Sequence, residues 1–165
     1  MIRMLFVVCC GFLLFGCGNA SGQAQREAKK TADALTGDAK GSAAANPVCK
    51  LFTVAEMSKY IGEPVTAGRN AAMGSGCQWP LKADENKGWV IVQIIPDSYH
   101  NWDYHRSDKQ LPDVGSRGYV FKDGETWDAQ AIKGDESIIA AVTGPSANEN
   151  ATVDLLKETL KRYKK

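Results

Sequence analysis

The chain has 165 residues and carries 20 Lys and Arg against 19 Asp and Glu, a formal net charge of +1. With no basic surplus to neutralise phosphates, this composition argues against a nucleic-acid partner. Beyond its N-terminal apolar segment, the remaining length suits one domain.

Arg3 supplies a positive start, and Met4–Phe15 is an apolar stretch. Its length suits the apolar region of a signal sequence, roughly 7–15 residues, and falls short of the about 20 needed to span a bilayer. Leu14-Phe15-Gly16-Cys17 closes it, with Leu three residues before a cysteine and a small Gly immediately before it. This pattern resembles the bacterial lipobox, although Phe15 is bulkier than the Ala, Ser or Thr common there. Cys9 and Cys10 lack such flanks. The expectation is that Met1–Gly16 is a lipoprotein signal peptide, removed so that Cys17 becomes an acylated first residue. The competing reading is an uncleaved anchor or an ordinary secretory leader. Each buried CH₂ of an acyl chain contributes about 0.8 kcal/mol, so two or three chains anchor stably. Gly18 stands where Asp acts as an inner-membrane retention signal. By resemblance, the mature protein belongs to the bacterial cell envelope, in the outer membrane facing the periplasm where there are two membranes.

Cys9 and Cys10 leave with the leader and Cys17 is consumed by lipid, so Cys49 and Cys77 remain of the five cysteines. An even pair in an oxidising compartment is most simply a disulfide. The alternative is a two-cysteine metal site or a reactive thiol, but nothing near either cysteine supplies two further ligands. Residues 17–46 form the acylated cysteine and a tether. Gly18–Asn46 is rich in Ala, Gly, Gln, Lys and Ser, with Leu35 its one large aliphatic residue, too little to offset ordering entropy. Its random-coil reach is roughly 30 Å. The globular domain is expected over residues 47–165.

Thr53-Val54-Ala55-Glu56 has capping-box spacing and opens a helix with Val54, Met57 and Ile61 on one face, stopped by Gly62 and Pro64. Strands are predicted at Val65–Asn70 and Gly76–Leu81, turning at Met73–Gly76. Lys82–Lys87 reads as a charged loop. Trp89–Ile95 is β-branched and apolar on both faces apart from Gln93, which predicts a central strand covered by helix. Pro96-Asp97-Ser98 starts a helix to about Arg106, with Tyr99, Trp102 and Arg106 on one side. Ser107–Ser116 reads as a polar loop. Arg117–Lys122 and Glu125–Ile132 flank Asp123-Gly124, a type I′ hairpin signal. Lys133-Gly134-Asp135 turns into Glu136–Thr143. Ser146 and Glu149 have capping-box spacing before a last helix, whose stripe is Val153, Leu156, Leu160 and Tyr163 and whose exit is basic. The expected fold is α+β: a single, mostly antiparallel sheet of about six strands with helices packed on it, in the order α-βββ-α-βββ-α. The two similar halves suggest an internal duplication.

Cys49 with Leu51 before the Thr53–Gly62 helix, then Cys77-x-Trp79 before a Val-rich strand, Val114-Gly115 and Lys133-Gly134-Asp135 form one pattern. It resembles a broad group of two-cysteine bacterial lipoproteins familiar from actinobacteria, over most of Pro47–Tyr163. The chain departs at Ser116-Arg117-Gly118, where that group carries an acidic residue followed by Ala. The resemblance implies an envelope-exposed, disulfide-pinned, non-enzymatic domain and carries over no catalytic residue.

His100-Asn101-Trp102-Asp103-Tyr104-His105 is the one cluster with chemical promise. On a helix His100 and Asp103 converge, while His105 lies about 140° round from His100, so the imidazoles do not chelate one ion. The bland reading is an amphipathic helix burying Tyr99 and Trp102 among solvated imidazoles. No Gly-x-Ser-x-Gly elbow, phosphate-cradling loop or dinucleotide fingerprint occurs. Trp79, Trp89 and Trp127 fall on strands and read as core, which leaves Trp102 as the candidate contact residue. No catalytic residue, metal ligand or cofactor is expected.

The leading expectation is therefore a lipid-anchored envelope protein whose domain binds an envelope protein or small ligand without chemistry. One alternative is an inhibitor or immunity lipoprotein that plugs a cell-wall hydrolase with a turn such as Tyr119–Thr126. Another is a metal-assisted hydrolase using His100, Asp103 and His105.

Overall fold

The computed structural model describes residues 43–105 and 108–164, with the backbone alone at 103 and 104. The leader Met1–Gly16, the acylation candidate Cys17, the tether as far as residue 42, and Arg106 with Ser107 lie outside the described residues.

Helix α1 (Val54–Ile61) begins as its sequence dictates: Glu56 N–H donates to Thr53 Oγ1 at 3.3 Å and Thr53 N–H to Glu56 Oε2 at 2.7 Å. It ends at Gly62, whose φ of +78° closes the left-handed cap. Met57 and Ile61 are fully buried, whereas Val54 is exposed, since the helix tips its first turn outward.

Among the described residues, seven strands follow: β1 (Arg69–Ala71), β2 (Gly76–Pro80), β3 (Trp89–Pro96), β4 (Lys109–Gln110), β5 (Gly118–Asp123), β6 (Thr126–Lys133) and β7 (Glu136–Thr143). They form one antiparallel sheet in the order β1-β2-β3-β7-β6-β5-β4, two meanders joined where β3 pairs β7. Helix α2 (Glu149–Arg162) completes an α+β domain. The strand count is seven rather than about six, because Lys109 and Gln110, expected in a polar loop, pair with Val120 and Tyr119. The order also differs from α-βββ-α-βββ-α. The middle helix does not form, so a second α-βββ unit lacks its helix. The strand expected from Val65 starts at Arg69, with Val65 making only an isolated bridge to Leu81.

Both long hairpins turn on glycine. Asp123 pairs Thr126 across Gly124-Glu125, and Lys133 pairs Glu136 across Gly134-Asp135. Only the first central residue of each loop has positive φ, +57° at Gly124 and +67° at Gly134. That is the type II′ pattern, not the expected I′, since I′ requires positive φ at both.

Strand alternation sorts the sheet into two faces. Val90, Val92, Ala129, Ala131, Ile138, Ala140 and Val142 point one way and are fully buried. On that side lie both helices, with Met57 and Ile61 of α1 and Leu155 and Leu156 of α2 in the same core. Lys109 pairs with Glu149 at the start of α2, and Lys133 donates to the Leu160 and Tyr163 carbonyls at its end, where the helix dipole favours a cation. The last helix is capped by Asn148, whose side chain accepts from Ala151 N–H, rather than by Ser146. A turn through Gly144–Ala147 precedes it. Thr152 and Thr159, buried in α2, return their hydroxyls to the Asn148 and Leu155 carbonyls.

Cys49 and Cys77 are disulfide-bonded, with Cα atoms 5.1 Å apart. The bond ties the segment before α1 to β2. Asn46, the last residue assigned to the tether, belongs to the fold. It is 6% exposed and donates to the Gly76 carbonyl at 2.8 Å and to Asn70 Oδ1 at 2.9 Å, while accepting from Val48 N–H. Its amide satisfies backbone groups that a tether would leave to water.

The helices are clamped at the end of α2. Arg162 donates to Glu56 Oε1 and Glu158 Oε1, both at 2.7 Å, and to the Leu51 carbonyl at 2.8 Å, and it lies 4.6 Å from the Phe52 ring centre. The Arg162 guanidinium and the Thr53 N–H hold the Glu56 carboxyl at about 2, below its ordinary 4.5. A lowered carboxylate stabilises the fold above its ordinary value and loses that contribution as pH falls through the native one. Urea titrations should therefore show stability declining from pH 4.5 towards 2, with Arg162→Ala giving a flatter curve over that range.

Candidate functional site: a ring cluster under a strap on the helix-free face

Among the described residues, no α-helix lies on the opposite face of the sheet. This face presents Trp89, Ile91, Gln93 and Ile95 from β3, Ile139, Ala141 and Thr143 from β7, Asp128 and Gln130 from β6, and Tyr119 and Phe121 from β5. Trp79 and Trp127 face the core, Trp79 at 1% exposed and Trp127 packed at its margin. Trp89 does not; alternation sends it to the helix-free side, where it is partly exposed.

The segment from Asp97 to His105 crosses this face as a strap. The expected helix from Pro96 to Arg106 is replaced by two 3₁₀ turns, Asp97–Tyr99 and Trp102–His105, with His100 extended between them at φ −102°, ψ 131°. Tyr99, expected to be buried beside Trp102, is 79% exposed as a result. The break also overturns the expected angular separation of the two histidines. Their rings stack, centroids 5.3 Å apart and 17° from parallel. His105 in turn stacks on Tyr119 at 4.3 Å and lies 5.1 Å from Phe121.

Polar contacts fix each ring. His100 Nε2 and the Tyr119 hydroxyl share a 2.7 Å hydrogen bond, and His105 Nδ1 donates to Asp108 at 2.7 Å. Trp102, the candidate contact residue, is partly buried. Its indole N–H donates to Asp97 Oδ1 at 2.7 Å, its ring meets Tyr119 edge-on, and the Arg117 guanidinium lies 5.5 Å from its centre. Ser137 Oγ donates to the same Asp97 oxygen, so one carboxylate ties the strap to β7. One nitrogen of each imidazole is thus engaged by protein. Asp103, the third residue of the metal-hydrolase alternative, has no described side chain. Among the described residues, no three His, Cys, Asp or Glu side chains are grouped to hold a metal ion.

Burial sets the protonation of the cluster. It lowers the His100 pKa, reinforced by His105 and opposed by Asp97. It raises that of Tyr119, with Asp128 and Asp108 adding to the effect. Asp128 is pushed up to about 6 by burial, against the Gln130 Nε2–H that donates to it at 2.8 Å and the nearby His105. Gln130 is 7% exposed, and among the described residues its Oε1 has no hydrogen-bond partner. Sequence reasoning missed both residues. The unfolded chain gives up the Asp128 proton from pH 3.8 upward while the native state keeps it to about 6, so ionisation costs native stability. Asp128→Asn should stabilise the protein by about 1–3 kcal/mol at pH 7 and leave it unchanged at pH 3, as read by urea denaturation at the two pH values.

A concavity of about 420 Å³ lies between the helices, lined by Glu56, Lys59, Tyr60, Ala151 and Asp154. The β5–β6 hairpin of the inhibitor alternative exposes only its tip, residues 122–125, because Tyr119 is 1% exposed beneath the strap. Among the described residues, no helix is long and apolar enough to cross a membrane. No protein-family model matches the chain, and neither a curated protein nor a solved structure matches it significantly.

Proposed function

We propose that this chain is a lipid-anchored lipoprotein of the bacterial envelope, related to the two-cysteine lipoprotein group, whose domain binds a partner or small ligand without catalysing a reaction. The anchoring half rests on Leu14-Phe15-Gly16-Cys17. The Cys49–Cys77 bond supports export, since such bonds persist outside the reducing cytoplasm. In a two-membrane organism the protein faces the periplasm from the outer membrane. One observation carries the binding half: a broad sheet face that no α-helix of the described residues covers, with a strap of rings and titratable side chains fixed over one part and Trp89, Ile91 and Gln93 partly exposed beside it. Aromatic rings with polar tips make effective contact residues.

Crosslinking in intact envelopes tests this reading, with the wild-type chain compared with Trp102→Ala. A discrete crosslinked species that weakens in the variant is the expected result. An identical pattern from both chains, or none from either, argues against a binding face here.

A further inference from the structure

We propose that Asp128 and Gln130, walled by His105, Tyr119 and Phe121, form a binding site for a primary ammonium group. This gives the proposed binding function a ligand class and rests on that reading. The first argument is an imbalance of acceptors. Gln130 is more than nine-tenths buried, its Nε2–H donates to Asp128, and among the described residues its Oε1 has no donor. Among the described residues, Asp128 receives that one bond and forms no ion pair with Lys or Arg. A partly buried carboxylate beside a buried orphan carbonyl is costly, and both deficits are met by a cation with several N–H donors.

The surroundings fit the same occupant. Asp128 lies opposite Phe121 and Gln130 opposite Tyr119 across the β5–β6 ladder, and the His105 ring bridges Tyr119 and Phe121. Aromatic faces attract cations electrostatically. Asp128, Phe121 and His105 are each only partly buried, so the site meets solvent along that margin. A compact ammonium presents three donors, enough for Gln130 Oε1 and both carboxylate oxygens.

Binding should be linked to pH through Asp128. Among the described residues, the titratable groups facing it are His105 on the strap, Asp108 and, on β5, Tyr119, while β7 presents Ala141. With the carboxyl titrating at about 6, an ammonium ion should bind about tenfold more weakly at pH 5 than at pH 7.

The test uses the full chain in detergent micelles, titrated with ethylammonium chloride while the Gln130 side-chain amide is followed by ¹⁵N NMR. Sodium and tetramethylammonium chloride at equal ionic strength are the controls. Saturable shifts with ethylammonium alone, weaker at pH 5 and absent in the folded Asp128→Asn variant, are expected. Equal shifts with sodium, no shift at either pH, or unchanged binding by Asp128→Asn overturns the site. Envelope crosslinking that survives such a failure leaves the broader binding reading intact, so the two outcomes are separable.

Discussion

Replacing Cys49 and Cys77 together by alanine should lower stability by about 3–4 kcal/mol in the chain-entropy description of a loop closed by residues 28 apart. For a domain of this size that is a fall of about 10–20 °C in Tm. The geometry around the bond reinforces the expectation. Cys77 is fully buried on β2, opposite Val92, and Gly68 approaches so closely that an added Cβ would lie 2.7 Å from both Cys77 Sγ and Trp79 Nε1. The bond therefore sits where three chain segments converge and where Phe52 meets Trp79 edge-on. Thermal melts of the double variant and of the wild-type chain with reductant should agree. A Tm unchanged in both would mean that the bond contributes nothing to holding the segment before α1 against the sheet.

The second large effect belongs to Tyr119. Its ring is fully buried and touches His100, His105, Trp102 and Phe121. Tyr119→Ala removes the surface on which the strap is stacked and should cost about 3–5 kcal/mol, as for other large aromatic truncations. Tyr119→Phe keeps the stack and loses only the hydrogen bond to His100, about 1 kcal/mol. Urea denaturation gives both values, and the difference in emission between each variant and the same variant carrying Trp102→Phe isolates Trp102 on the strap: red-shifted in the alanine variant, near wild type in the phenylalanine variant. Equal effects from the two would assign the strap's attachment to the hydroxyl rather than to the rings.

The parts of this fold legible in the sequence are those with local causes. β7 lies over Glu136–Thr143 as expected, and β3 exceeds its expected span by one residue, because β-branched runs bounded by glycine turns announce themselves. The Thr53–Glu56 box is equally local. The strap was not legible. Its Tyr99-to-Trp102 spacing reads as helical, but the Trp102 indole is drawn to Asp97 and the histidine rings to Tyr119, a residue more than a dozen positions further along the chain. Tertiary contact outweighs a weak helical preference there. The same distance hides the candidate site. Asp128-Ala129-Gln130-Ala131 alternates polar and small residues, the pattern of a strand with one wet face. Nothing in that stretch reveals that a segment from the other side of the sheet will cover the polar side chains. Asn46 was hidden for a related reason: an asparagine in an Ala-rich stretch reads as tether, although its amide is matched to the Gly76 carbonyl.

Whole-protein mass spectrometry on material extracted from envelopes tests the central claim most directly. A chain that starts at Cys17, heavier by two or three acyl groups and lighter by two hydrogens for the bond between Cys49 and Cys77, is the expected result. A polypeptide still carrying Met1–Gly16, without acyl mass and with both thiols open to alkylation, would contradict the account.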